Sequence, residues 1–357
     1  MKVGIVTFHC SYNFGSALQA YALQEAIRNL GHDATIIDYR SADYDQYKFL
    51  PLNHPRRCLK NIANIRSVFA RRKSFLGFQR DRMALSEESY NSRSSKIESV
   101  ALDYDAFVCG SDQIWNLNCT HGVVGPFFLS FAGNKRRVAY APSLAHTSFK
   151  PEYFDRDEVS LLLARFDFLS VRESETLPLF QPLVDKKIEV VLDPTLLMNA
   201  GVYADIAAAP LVAEPYIFMY QLRKCPELVE STIEMAKKSG CKVAYVSEKN
   251  LPIPNSVNLF GIGPAEFLSA IANANSVLAN SFHAAVFSIL FHKPFRSFAA
   301  DASGARMRNL VGELGIAERC ATSVDSSSIE EVDWDAVDMR LETMRAHSVD
   351  YLRRALS

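Results

Sequence analysis

The chain has 357 residues, 48% of them apolar, and a formal net charge of -1. That length suits two ordinary domains with sizeable cores, and the near-neutral balance excludes a whole-molecule bias toward nucleic acid. The seven Cys are odd in number and scattered, with no CxxC pair and no Cys/His zinc spacing, which reads as reduced thiols in a cytoplasmic protein without a metal site.

The N-terminal MKVGIVTF places one Lys before a short apolar run, a buried strand rather than a signal peptide. No apolar run approaches the roughly 18 residues of a membrane span. A loop, HCSYNFGS, leads into ALQAYALQEAIRNLG, where Ala20, Leu23, Ile27 and Leu30 recur at helical steps and Gly31 stands at the C-cap. DATIIDY is the next strand, so residues 2–40 read as a βαβ unit, which implies a parallel sheet. Residues 56–82 hold nine Arg/Lys and one acidic residue, with Leu59, Ile62, Phe69, Phe75 and Phe78 interleaved. They read as a helical pair packed on the core with a solvated basic face; a sharper reading is contact with an anionic membrane surface. Nucleic-acid binding ranks third, because no recognition motif accompanies the charge.

YDAFVCG (104–110), RVAYAPS (137–143), FLSVRE (168–173) and IEVVLDP (188–194) look like further strands ending in polar loops. A second series follows: PYIFMYQL, the helix PELVESTIEMAKKSG with Pro in its first turn, KVAYVS, the helix PAEFLSAIANAN, SVLAN, NSFHAAVFSILFHKPF, and a helix over 305–314. The division expected is an N-terminal Rossmann-like domain over 1–200, a C-terminal one over 201–328 and a charged helical tail over 329–357. Ligands of doubly wound sheets sit beyond the carboxyl ends of the strands, so each polar loop after a strand is a site candidate.

Six segments in order, NFGSALQAYALQ (13–24), CGSDQIWN (109–116), YAPS (140–143), SVRE (170–173), VLDPTLL (191–197) and NSFHAAVFSILFHKPF (280–295), resemble the polysaccharide pyruvyl transferase family. The resemblance implies an α/β fold of two Rossmann-like domains facing across a cleft, as in type B glycosyltransferases. It implies transfer of the pyruvyl group of phosphoenolpyruvate, as co-substrate and with no cofactor, onto sugar hydroxyls of a surface-glycan precursor. Some family members carry Arg two residues before the motif His; this chain has Ser281 there.

Phosphoenolpyruvate needs cations and N–H donors for its phosphate and carboxylate, an acid to protonate C3, and a base for the acceptor hydroxyl. With the resemblance in place, His283, at the turn from SVLAN into a helix, is the first acid/base candidate, and His146 the second. Asp112 is the candidate base or sugar ligand, against an ordinary Asx-turn. Donor-binding candidates are Arg172, Ser281, Lys293, Arg306 and Arg308, the last two as replacements for the Arg absent at 281. Acceptor-binding candidates are Asn13, Ser16, Ser111, Gln113, Trp115 and Asn116, with Ser16 also able to cap the first helix and Trp115 able to stack on a sugar. Two rival readings stand: a nucleotide-sugar glycosyltransferase of the same fold, and a non-catalytic glycan- or anion-binding protein. The expected location is cytoplasmic, with peripheral contact at the membrane's inner face through 56–82.

Overall fold

Strand β1 (Lys2–Val6) is apolar on both faces, and Val3, Ile5 and Val6 expose no surface. Such a strand belongs inside a parallel sheet covered by helices. It is followed by α1 (Phe14–Asn29) and β2 (Asp33–Arg40), which pairs with β1 in parallel, Val3 opposite Ala34. Asn13 caps α1, its side-chain oxygen accepting from the Gly15 and Ser16 amides. The structure, a computed structural model, describes residues 1–41, 61–62, 64–91, 95–144, 148–298, 304–327 and 329–357. His146 and the first part of the basic segment lie outside the described residues.

Helix α2 (Ile65–Arg82) leads into β3 (Leu85–Asn91), followed by β4 (Ala106–Cys109) and β5 (Arg136–Ala139). These make a sheet of order β3-β2-β1-β4-β5, parallel throughout. A parallel bridge between Val138 and Phe168 continues it toward the pair β6 (Leu169–Val171) and β7 (Ile188–Val190).

The second series repeats the plan. In chain order come β8 (Tyr216–Tyr220), α3 (Pro226–Ser239), β9 (Lys242–Tyr245), β10 (Ser256–Asn258), α4 (Pro264–Ala272), β11 (Ser276–Ala279), α5 (Phe282–Leu290), β12 (Phe295–Phe298), α6 (Ala305–Glu313), β13 (Cys320–Ala321) and α7 (Trp334–Ala355). The sheet order is β10-β9-β8-β11-β12-β13, all parallel. Counted from β8, that is the Rossmann order 3-2-1-4-5-6.

By internal contacts the chain forms two compact units. The first comprises Met1–Pro55, Gln79–Met198 and Thr343–Ser357, the second Arg56–Phe78 and Asn199–Glu342. These bounds differ from the simple division at 200 and 328, and packing explains why. On α2, the Arg71 guanidinium lies over the rings of Phe75 and Phe260, at 5.1 and 5.3 Å, within the second unit. On α7, Tyr351 is wholly buried in the first unit and donates to the Ala139 carbonyl at 2.8 Å, while Ser348 Oγ accepts from the Leu192 amide. The C-terminal residues are therefore core of the first unit, not an appended tail. Among the described residues no helix is long and apolar enough to cross a membrane.

Candidate active site

Each sheet has a switch point where successive connections leave in opposite directions: between β1 and β4 in the first unit, and between β8 and β11 in the second. Loops at the carboxyl ends of those strands are the ligand-binding positions of this architecture.

At the first switch point the polar side chains are tied to one another. Gln19, wholly buried on α1, donates to Thr7 Oγ1 at 2.9 Å and to the carbonyls of Phe8 and Ser16; its Oε1 accepts from the Ser111 amide at 3.1 Å. Ser16 Oγ donates to Asp112 Oδ2 at 2.5 Å, and Asp112 Oδ1 accepts from the Gln113 amide. Asp112 has φ +64° and Ala141 φ +50°. Left-handed backbone at non-glycine residues persists only where its surroundings enforce it, and it gathers at functional sites. Gly110, at φ +115°, has no alternative: a Cβ there would lie 2.0 Å from the Tyr140 carbonyl oxygen.

Behind this loop lies a buried ion cluster. Arg172 Nη1 donates to Asp193 Oδ2 at 2.5 Å and Nε to Glu173 Oε1 at 3.1 Å, with all three side chains at most 3% exposed. Ser143 Oγ donates to Glu173 Oε1, and the Thr195 amide and hydroxyl both donate to Asp193 Oδ1. Burial pushes the guanidinium down, but the carboxylates of Glu173, Asp193 and Asp112 outweigh that and hold its pKa above the ordinary value. Arg172, at the end of β6, thus reaches the end of β7 through the Asp193 carboxylate, with Glu173 beside it on its own strand end.

A second polar cluster sits one strand over. His9, 1% exposed, places Nε2 3.0 Å from Asp38 Oδ1 and Nδ1 3.1 Å from the Thr7 carbonyl oxygen. Asp38 also accepts from Arg40 and from Ser89 Oγ. Burial alone would raise the Asp38 carboxyl, but hydrogen bonds from His9, Arg40 and Ser89 outweigh it and hold it well below the usual carboxylate range. Burial, followed by the Asp38 charge, pushes the neighbouring Cys10 thiol up to about 12, which keeps it protonated and unreactive at neutral pH.

In the second unit, Asn280 spans the switch point. Its Oδ1 accepts from the Leu222 amide at 2.7 Å and its Nδ2 donates to the Arg223 carbonyl at 2.7 Å, joining the exits of β8 and β11. Ser281 caps α5, accepting from the Ala284 amide, and His283 stands in the first turn, 8% exposed and edge-on to the Phe282 ring. On α6, which follows the carboxyl end of β12, the Arg306 guanidinium lies 5.9 Å from the Phe282 ring centre. One helix N-terminus, one imidazole and one guanidinium thus gather around Phe282, an arrangement suited to an anion. Among the described residues no group of three His, Cys, Asp or Glu side chains is placed to hold a metal.

The family model for polysaccharide pyruvyl transferases matches residues 13–301, most of the chain, taking in Asp112, Arg172, Asn280 and His283 and ending before Arg306. The chain belongs to the polysaccharide pyruvyl transferase family. A search of curated proteins returns no match. Solved structures that resemble this pyruvyl transferase include UDP-GlcNAc 2-epimerase from Neisseria meningitidis bound to UDP-GlcNAc, at 10% identity over 99% of this chain and 94% of that one, TM-score 0.54. HepE from Anabaena in complex with UDP-glucose gives 12% identity over 100% and 94%, TM-score 0.53. At such identities the likeness concerns the fold alone, an α/β fold of type B glycosyltransferase kind.

Arg172, expected to bind the donor, is instead taken up in the buried ion cluster, and the other described residues singled out from the transferase's sequence fall into three groups. Ser16 and Asp112 meet directly at the first switch point, with Gln113 beside them. Ser281 and His283 stand at the second, with the Arg306 guanidinium over the intervening Phe282 ring, and Arg308 is exposed on the same helix as Arg306. The third group is structural. Trp115 is fully buried, stacked on Phe128 at 5.1 Å and bonded through Nε1 to the Phe127 carbonyl, so its ring has no face for a sugar. Ser111 exposes nothing and donates to the Ala141 carbonyl. Asn116 caps the short helix Leu117–Thr120, and Asn13, not Ser16, caps α1. Lys293 sits between α5 and β12, at the amino end of the sheet, because α5 has already carried the chain back to the edge opposite His283.

Gln19 on α1, Asp38 in β2, and His9 and Asn280 in the loops after β1 and β11 are polar residues that the sequence reading did not assign. For the His9–Asp38 pair the signal was Asp38, directly after the apolar Ile36 and Ile37 of the strand DATIIDY.

Proposed function

We propose that this transferase moves the pyruvyl group of phosphoenolpyruvate onto two hydroxyls of one hexose, a galactose-type or N-acetylhexosamine unit of a bacterial glycan precursor. The observation that carries the reading is the gathering of His283, Arg306 and the capped N-terminus of α5 at the switch point of the second unit, in a chain of this family. The second unit serves the donor. Arg306 and the α5 amides hold its phosphate or carboxylate, and His283 delivers the proton to C3 as C2 becomes electrophilic. The first unit serves the acceptor. Asp112, held by Ser16 and the Gln113 amide, takes the proton of the attacking hydroxyl.

The balance is simple. The first hydroxyl oxygen bonds to C2 while C3 gains a proton. The C2–phosphate bond breaks with its electrons on phosphate. The second hydroxyl of the same sugar then adds to C2 and releases its proton, leaving a cyclic ketal and inorganic phosphate. No cofactor takes part. The test is incubation with phosphoenolpyruvate and a panel of lipid-linked and free hexoses, following phosphate release and ketal mass. Turnover with UDP-sugars and none with phosphoenolpyruvate overturns the reading in favour of glycosyl transfer; binding without turnover of either favours a glycan-binding protein.

A further inference from the structure

Helix α2 presents a second surface, independent of the reaction proposed above. Its inward face is settled: Phe75 and Phe78 are buried, and Ala70 and Ser67 lie against Gly261. Its outward face is unusual for a surface helix. Ile65, Phe69 and Leu76 are 45, 50 and 41% exposed, and Ile62, just before the helix, is 55% exposed. At 100° per residue, Ile65, Phe69 and Leu76 fall within about 40° of arc, so they form one apolar stripe. Arg72 borders the stripe on one side, and Lys73 and Arg66 border it on the other. The helix carries six Arg/Lys and a single acidic residue, Asp81. Asp81 points roughly 140° away from the stripe and is paired with Arg80.

We infer that this face docks on an anionic lipid bilayer, with Ile65, Phe69 and Leu76 entering the headgroup–acyl boundary and Arg66, Arg72 and Lys73 meeting lipid phosphates. Charge complementarity selects the occupant. A bare polyanion such as nucleic acid gives no return for burying Ile, Phe and Leu, whereas a lipid surface rewards both parts of the pattern. Arg71 is excluded from the lipid-facing set because it is stacked between Phe75 and Phe260.

The test is co-sedimentation with phosphatidylglycerol and with phosphatidylcholine vesicles at low and high salt. The intact chain is expected to bind the anionic vesicles at low salt only. The triple change Arg66→Gln, Arg72→Gln, Lys73→Gln is expected to lower partitioning on the order of 100-fold, and Ile65→Ser, Phe69→Ser, Leu76→Ser to abolish it, each with an unchanged circular dichroism spectrum. Should a triple variant fail to fold, the single change Leu76→Trp in the intact chain gives the answer: its emission shifts to the blue with phosphatidylglycerol vesicles. Absence of binding by the intact chain overturns the proposal. So does binding that survives loss of the apolar stripe, which would point to a polyanion, and so does a dimer that the stripe variant dissociates, which would make a second copy the occupant.

Discussion

At the residue scale, His283 and Asp112 differ in how they are held. Asp112 is fixed by two donors and a left-handed backbone, while His283 stands at the start of a helix beside Phe282 and Arg306. The change His283→Gln keeps size and one hydrogen bond but removes the titratable proton. A positioned acid is worth about 10²–10⁴-fold, so turnover is expected to fall by that range while the melting temperature and donor binding persist. Near-normal turnover would reduce His283 to a cap-turn residue. Asp38 makes a prediction about stability instead. Its folded carboxyl titrates below its unfolded value, so the unfolded chain takes up the proton first as pH falls. Its contribution is therefore complete above the unfolded value of about 4 and is lost as pH drops below that. Asp38→Asn is expected to destabilise the protein at neutral pH by roughly 3 kcal/mol, since it leaves His9 buried without its carboxylate, and to flatten the loss of stability in acid. Urea melts of both proteins between pH 7 and pH 3 read this directly; parallel curves would remove Asp38 from the account.

At the element scale, the loop after β4 is the feature most dependent on one residue. Gly110 has φ +115° and no room for a Cβ against the Tyr140 carbonyl. Gly110→Ala forces β4 away from the loop after β5, and with it Asp112, whose carbonyl accepts from the Ser143 amide at 2.7 Å. A stability loss of at least about 2 kcal/mol is expected, from backbone strain and displaced packing together, and activity should fall in the material that still folds. A soluble, fully active Gly110→Ala protein would show that the loop tolerates what its geometry forbids. The strands at the sheet edges are the elements the sequence hid. LSEESYN became β3 although its side chains show no apolar alternation, because an edge strand gains its place from backbone pairing with β2 rather than from burial. Strand β10, three residues long, and β13, two residues long, are invisible for the same reason.

At the scale of the whole molecule, two sheets of one topology make the donor question testable without a full assay. A ligand that binds only the folded state raises stability by mass action, about 2.7 kcal/mol at a hundredfold excess over its dissociation constant. Phosphoenolpyruvate is expected to raise the melting temperature and UDP-glucose to leave it unchanged; the reverse would transfer the protein to the nucleotide-sugar enzymes whose fold it shares. Much of this architecture was legible in the residues. Apolar runs ending in polar loops, alternating with helical periodicity, specify parallel α/β sheets because a strand buried on both faces has no other way to satisfy its neighbours. The loop motifs carried the family, and the topology then placed Ser16 with Asp112 and Arg306 over the ring of Phe282, the residue before His283. What the sequence could not determine was which of the loop residues are taken up by capping and packing. Asn13 stands in the same motif as Ser16, and Ser111, Trp115 and Asn116 in the same motif as Asp112, yet hydrogen bonding and packing turn them into caps and core. Likewise α7 reads as a charged tail until Tyr351 is seen to bond Ala139 across 212 positions of chain. Local pattern sets the elements, because propensity and periodicity act over a few residues. The partners of the buried Arg172 and His9, Asp193 and Asp38, lie 21 and 29 positions away at neighbouring strands, and only the assembled sheet brings them together.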